Sequence, residues 1–269
     1  MSARGEESAD VPGLPVPEPS DLPGFPEALE LGDVPGVPEP PDVPDVPDVP
    51  GVSGAPGAPG VPEIPERPGL PEAAEGSVTA AQLLAKVAKC KQISKGKYRT
   101  DQKASASIPV CDAGNAVFWK ADMDIDCDGR RTTRCNRQTD PSFQEATAFL
   151  QSDGAYLNAE KLPFIVVPTP STIWNYKSSG IRGGSVAAVV YRGKVRYAVV
   201  GDTGPTGIIG EASYATAKAL GIAPNPAKGG TPSGVTYIVF KNSKASPIES
   251  HGAAVTLGER LAKNFVKSR

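Results

Sequence analysis

Residues 198–220 read AVVGDTGPTGIIGEASYATAKAL, an apolar β-branched run that breaks into a Gly/Pro loop and leaves it through a second glycine turn. The run is expected to be a strand that delivers Asp202 into the loop. The second turn delivers Glu211 to the start of a helix over 211–220, stopped by Gly221. Two carboxylates thus stand at the structured ends of one tight loop. Hydrolysis of a glycosidic bond needs such a pair, one acid protonating the leaving oxygen while the other activates water or attacks C1. The same residues also read without chemistry, Asp202 as an Asx-turn residue and Glu211 as a helix cap.

Working outward, SVAAVVY and VRYAVV flank an Arg192-Gly193-Lys194 turn as a hairpin, and FIVV at 164–167 and VTYIVF at 235–240 add strands. NAVFWKADMDIDC at 115–127 alternates. Val117, Trp119, Ala121, Met123, Ile125 and Cys127 fall on one face, Lys120, Asp122, Asp124 and Asp126 on the other, giving a core face and a carboxylate row. Helices are expected from a Ser77 or Thr79 cap through SVTAAQLLAKVAKC and near 253–266. Many strands with few helices indicate an α+β, β-rich domain.

Cys90, Cys111, Cys127 and Cys135 lie within 46 residues and lack the spacing of a zinc site. Of the three possible pairings, Cys90–Cys111 and Cys127–Cys135 are favoured, the first tying a helix to the first strand and the second closing a short polar loop. Disulfides imply an oxidising compartment. No apolar run approaches the roughly 18 residues of a membrane span, and no signal-peptide core opens the chain, so the numbering is read as starting after signal removal.

The first 76 residues hold most of the 29 prolines and repeat Asp-Val-Pro and Gly-Ala-Pro units, including DVPDVPDVP at 42–50. That composition favours extended polyproline II and cannot form a core. A disordered tail over 1–76 and one folded domain over 77–269 are expected. The formal net charge of −2 conceals opposite halves: the tail has 16 acidic residues and 2 Arg, hence −14, leaving 14 acids against 26 bases, hence +12, in the domain. Such segregation points to an interaction tail or a polyanionic partner.

Several chemistries drop out. DMDIDCDG at 122–129 has the Asp and Gly spacing that opens an EF-hand, but with Asp124 as position 1 the twelfth position is Cys135 rather than Glu. His251 is the single histidine and has no spaced ligand partner, and GGSVAA at 183–188 lacks the Lys-Ser/Thr of a phosphate loop.

VFWKADMDIDCDG together with YAVVGDTGPTGIIGEAS resembles the glycoside hydrolase family 75 chitosanases over roughly residues 85–266. The resemblance implies a secreted enzyme that cuts β-1,4 linkages between glucosamine residues of chitosan internally, with inversion; a monomer is the default expectation. It implies no metal or organic cofactor and no nucleic-acid or membrane partner. The family's Asp and Glu pair maps onto Asp202 and Glu211. Glu211 is read as the acid and Asp202 as the base, although a helix N-terminus favours ionised Glu211 unless burial reverses it. Asp122, Asp124 and Asp126 are candidates for gripping substrate ammonium groups, and Trp174, Tyr176 and Tyr214 for stacking on sugars, with core packing the bland alternative for each aromatic. GDTG…IIGEA is also similar to the turn of double-psi β-barrels, which implies a six-stranded double-psi-like β-barrel with peripheral helices. Two rivals follow. A peptidoglycan-cleaving barrel enzyme suits the +12 domain and predicts a basic groove, and a non-catalytic wall-polysaccharide-binding module predicts that Asp202 and Glu211 point away from any cleft.

Overall fold

The computed structural model describes residues 75–268. The proline-rich segment read from the sequence lies, through residue 74, outside the described residues. Helix α1 (Ala80–Lys86) starts at Thr79, whose hydroxyl accepts from the Gln82 amide while the Gln82 side chain accepts from the Thr79 amide. This reciprocal pairing satisfies two otherwise orphaned donors and selects Thr79 over Ser77 as the cap. Short strands β1 (Lys91–Gln92) and β2 (Cys111–Asp112) follow and lead into the long strand β3 (Ala116–Asp126). Both favoured disulfides form, Cys90–Cys111 and Cys127–Cys135.

The remaining strands are β4 (Phe164–Pro168), β5 (Val186–Tyr191), β6 (Lys194–Gly204), β7 (Glu211–Ser213) and β8 (Thr231–Phe240), with helices α2 (Tyr214–Leu220) and α3 (His251–Lys267). Six strands close on themselves in the order β3-β7-β4-β6-β5-β8, because β8 pairs back onto β3. The ring is mixed: β3 with β7 and β4 with β6 run parallel, the other pairs antiparallel. Closure removes sheet edges, and burial of both faces, in the two clusters inside and outside the ring, explains why so many strands read as continuous apolar runs. The β5–β6 hairpin turns on Arg192 and Gly193, both at positive φ, a two-residue turn whose twist matches the flanking strands.

Alternate residues feed two cores. Val117, Trp119, Met123, Ile165, Val189, Val200 and Tyr237 pack in one buried cluster that fills the barrel, with Trp119 stacked on Tyr237 at 5.3 Å between ring centroids. Phe118, Val166, Val190 and Val199, on the opposite faces, pack outside it with Leu83 of α1 and Ala262 and Phe265 of α3.

Two expectations need correction. The carboxylate face of β3 is more covered than its alternation shows, since Phe118, Asp122 and Asp126 on it are buried and only Lys120 and Asp124 are exposed. Phe118 is covered by the outer cluster that includes Leu83, Ala262 and Phe265. Helix α2 begins at Tyr214 rather than at Glu211, because residues 211–213 hydrogen-bond to β3 as strand β7. Tertiary pairing overrides local helix propensity here. Ser213 then caps α2 by accepting from the Thr216 amide, and Gly221 ends it in the left-handed conformation.

Candidate active site

The site is assembled by register. Asp124 pairs with Glu211 and Asp126 with Ser213 across β3 and β7, so directly paired Asp124 and Glu211 present their carboxyls on the same face. Asp202 reaches that face by a different device. Along β4 and β6, Ile165 pairs with Val200 but Val166 pairs with Asp202, leaving Gly201 as an extra residue. Such a bulge reverses which side chains point in and out. Without it, Asp202 would share the phase of Ala198 and Val200 and point into the barrel core. Position 201 tolerates only glycine: an added Cβ would lie 2.6 Å from Phe164 Cβ and 2.8 Å from Leu157 Cδ1. Gly201→Ala is therefore expected to destabilise the domain by about 1–3 kcal/mol, read from the denaturant midpoint.

The result is a cleft of about 380 Å³ whose walls carry Asp124, Asp126, Asp128, Asp140 and Glu211, and no Lys or Arg. Carboxylate oxygens of Asp126, Asp128 and Asp202 all lie within 4.8 Å of one another. Among the described residues, none of these six carboxylates joins an ion pair; the four that form are Glu75 with Arg196, Glu75 with His251, Asp112 with Lys241, and Glu259 with Lys263. Unpaired acids crowded in a half-dry cleft hold their protons. Burial, followed by the charges of Asp124, Asp128, Asp202 and Asp140, pushes Glu211 up to about 8. Burial, followed by Glu211, Asp202 and Asp128, lifts Asp126 well above the usual carboxylate range. Asp128 rises to about 6, chiefly through burial, opposed by the Gln144 amide that donates to its Oδ1.

Asp202 stands apart. Burial raises it too, but its Oδ1 accepts from the Ala148 amide at 2.8 Å and the Thr203 amide at 2.7 Å, both of which favour the ionised form. Glu211 has no such support, and its Oε2 sits where Gly204 leaves room. Burial thus raises both carboxyls, Glu211 to about 8 without relief and Asp202 against two amide donors that favour its ionised form, and such a difference in surroundings lets two carboxyls divide acid and base work. Because α2 starts at Tyr214, no helix dipole acts on Glu211 to oppose this. The Asp126, Asp128 and Asp202 oxygens are close enough to ligate a hard cation, yet Asp126 and Asp202 already accept from backbone amides and only three carboxylates converge. A calcium shell of six to eight oxygens would need more.

Of the residues singled out in the sequence, Asp124, Asp126, Asp202 and Glu211 come together here. Asp122 lines an adjoining cavity. Trp174 and Tyr176 do not reach the cleft; Trp174 is 5% exposed and packs edge-on against Trp119, its indole N–H donating to Ser179, and Tyr176 is 3% exposed. Both rings belong to the buried cluster that contains Trp119, and Tyr176 also lines a separate cavity. Tyr214 is half-buried at the start of α2. Asp128 and Asp140 were not legible as site residues. Asp128 had been absorbed by the EF-hand comparison, and Asp140 arrives through the loop after the Cys127–Cys135 disulfide.

The pattern of a family described as fungal chitosanase of glycosyl hydrolase group 75 matches residues 123–268, which contain the five cleft carboxyls and Asp202. Endo-chitosanase C of Aspergillus oryzae is 33% identical over 182 residues, 64% of this chain and 45% of that protein. An endo-chitosanase of Aspergillus fumigatus is 32% identical over 197 residues, 67% of this chain and 80% of that protein. The chain therefore spans under half the length of the first relative and four-fifths of the second. With its cleft acids inside a match that covers more than half of the sequence, the chain belongs to glycosyl hydrolase group 75.

Proposed function

We propose that the chain is an endo-acting chitosanase that hydrolyses β-1,4 linkages between glucosamine units with inversion, Glu211 serving as general acid and Asp202 as general base. The observation that carries this reading is Glu211, raised to about 8 in the wall of a cleft without basic residues, together with Asp202, which accepts from two backbone amides and has a carboxylate oxygen within 4.8 Å of those of the cleft residues Asp126 and Asp128. Glu211 gives its proton to the glycosidic oxygen as the bond to C1 breaks. Asp202 takes a proton from the water that attacks C1 from the opposite side. A β linkage then yields an α product, and the carboxyls should straddle that water at about 6.5–9.5 Å in the substrate complex. Asp124 and Asp126, with Asp128 and Asp140, supply carboxyl oxygens that accept from the ammonium groups of a polycationic chain, whose approach favours their ionised forms. The names of the relatives support chitosan as the substrate, and the two disulfides support an extracellular location.

The domain's positive surplus had favoured an anionic wall polymer, but the acidic cleft opposes it, with bases such as Lys97 and Arg99 lining a separate cavity. Incubation with highly deacetylated chitosan and with peptidoglycan, followed by an assay of reducing ends and by NMR of the first anomer formed, decides the matter. Release from chitosan with α product is expected. Release from peptidoglycan alone would move the reading to the lytic barrel enzymes, and β product would make Asp202 a nucleophile.

A further inference from the structure

The Ala148 amide that serves Asp202 belongs to a stretch of chain outside any helix or strand. Residues 144–148 run from one acid to another: the Gln144 amide donates to Asp128 Oδ1 at 2.7 Å, and the Ala148 amide donates to Asp202 Oδ1 at 2.8 Å. The Gln144 end is held by its own carbonyl, which accepts from the Gly129 amide at 2.9 Å. Ala148 is exposed and carries only a methyl group, so the aim of its N–H depends on its neighbours.

Thr147 supplies that aim. It is 5% exposed, and its hydroxyl is used twice: Oγ1 donates to the Phe149 carbonyl at 2.8 Å and accepts from the Leu157 amide at 3.1 Å. The first bond spans Ala148 and closes the chain around it. The second ties the turn to Leu157, whose carbonyl accepts from the Arg130 amide at 2.8 Å and whose Cδ1 lies 2.8 Å from where a Cβ on Gly201 would project. The Thr147 methyl lies over Gly129, Cγ2 standing 3.0 Å from the place of an added Cβ. One buried side chain thus connects the chain beside Asp128, the chain beside Asp202 and the carbonyl that follows Ala148. Hydroxyl-to-backbone bonds of this kind fix a loop that no helix or sheet ladder holds, and removing the hydroxyl leaves two backbone groups unpaired.

Resting on the reading of Asp202 as general base, we propose that Thr147 is a positioning residue that aims the Ala148 amide and so fixes both the direction and the charge of the Asp202 carboxylate. The groups that face Asp202 are acids: Asp126 from β3, Asp128 just beyond it and Glu211 from β7 are all affected by its charge, and among the described residues no base pairs with it. With no cation beside it, amide donors at Oδ1 are what favours the ionised form against burial. The Thr203 donor is the next residue of β6 and moves with Asp202. The Ala148 donor comes from a separate segment, and its placement depends on the bonds that Thr147 makes.

The test compares the full chain with Thr147→Val and Thr147→Ser, by pH profiles of kcat and KM on highly deacetylated chitosan and by carbon NMR titration of the side-chain carboxyls, the Asp202 signal being assigned by its absence in Asp202→Asn. Valine keeps the shape and loses the hydroxyl. Thr147→Val should lower kcat about tenfold with KM unchanged. It should also move the acid limb of the profile and the Asp202 midpoint up by about one pH unit, the weight of one hydrogen bond to a charged group, while the alkaline limb set by Glu211 stays. Serine keeps the hydroxyl, so Thr147→Ser should hold both near their original places. That variant keeps the proposal testable if the valine variant does not fold, and a raised midpoint in it overturns the proposal. A kcat lowered equally at every pH with the midpoint unmoved, or no change at all, overturns it too, since a merely structural hydroxyl would do no more. If Asp202→Asn retains the full rate and the acid limb, the reading of Asp202 as base fails, while the Asp202 midpoint in Thr147→Val still decides whether Thr147 sets its charge.

Discussion

Glu211→Gln should lower the rate of chitosan hydrolysis by about 10³-fold, and Asp202→Asn by a similar factor, because each removes a proton transfer that positioned groups accelerate by 10²–10⁴. The two losses should be told apart by the leaving group. A synthetic glucosaminide with an acidic phenol as leaving group needs little protonation, so Glu211→Gln should retain much of the rate on it. Asp202→Asn should not, since the water still needs its base. The pH profile carries the same assignment. Glu211 must hold a proton, so activity falls as pH rises through about 8; Asp202 must be charged, so activity also falls as pH drops through its raised value. An unchanged alkaline limb in Glu211→Gln, measured on the phenolic substrate, would give the acid role to another group, with Asp126 the first candidate.

The second large effect is on stability, and it runs against the usual acid sensitivity of proteins. Burial leads the rise in each of Asp122, Asp124, Asp126, Asp128, Asp202 and Glu211, and at Asp122, Asp124, Asp126 and Glu211 neighbouring acids come next. For a group with a raised folded value, the native state binds more protons than the unfolded chain between the two values. Its stabilising contribution is complete below the unfolded value near 4 and is lost as pH climbs through the folded value. With Asp128 at about 6, Asp122 at about 7 and Glu211 at about 8, the loss should spread across pH 5 to 8. Calorimetry should therefore find a Tm higher by roughly 5–10 °C at pH 5 than at pH 8. Asp112, held low chiefly by its hydrogen bond to Lys241, acts oppositely but only in more acidic solution. Glu211→Gln should flatten the slope and raise Tm at pH 8, the same change that abolishes activity, as expected where a catalytic cluster is kept at the expense of stability. A Tm that rises steadily from pH 5 to 8 would mean that these acids are charged and comfortable, and would remove the physical basis for Glu211 as a proton donor.

Much of this was legible because apolar periodicity survives burial. The hairpin at Arg192-Gly193, the strand over 116–126, the Gly221 stop and both disulfides follow from local rules that the barrel does not contradict. Asp202 and Glu211 could be picked out because loop chemistry and family resemblance coincide on them. What failed was whatever depended on partners distant in sequence. Glu211 read as helical since nothing in EASYATAKAL announces the β3 partner that extends it. That Asp122 and Asp126 are buried could not be read from the carboxylate row, because alternation reports the pleat, not what lies over it. Trp174 and Tyr176 read as candidate platforms because an aromatic in a polar loop looks the same whether it meets a sugar or Trp119. Asp140 carried no signal at all, being an ordinary turn residue until the fold places it.

Gly201 gives the architecture a separable joint. Upstream of it β6 follows the phase that the interior demands, and downstream it follows the phase that the cleft demands, so a single inserted backbone unit translates between two sets of rules. Positions on either side of that joint can therefore change under unrelated pressures: the hydrocarbon filling of the barrel can drift in shape and volume while the Asp202 carboxylate keeps its aim, and the surroundings of Asp202 can be retuned without repacking what lies beneath. A cylinder built in this way is a durable platform on which the chemistry is free to diversify.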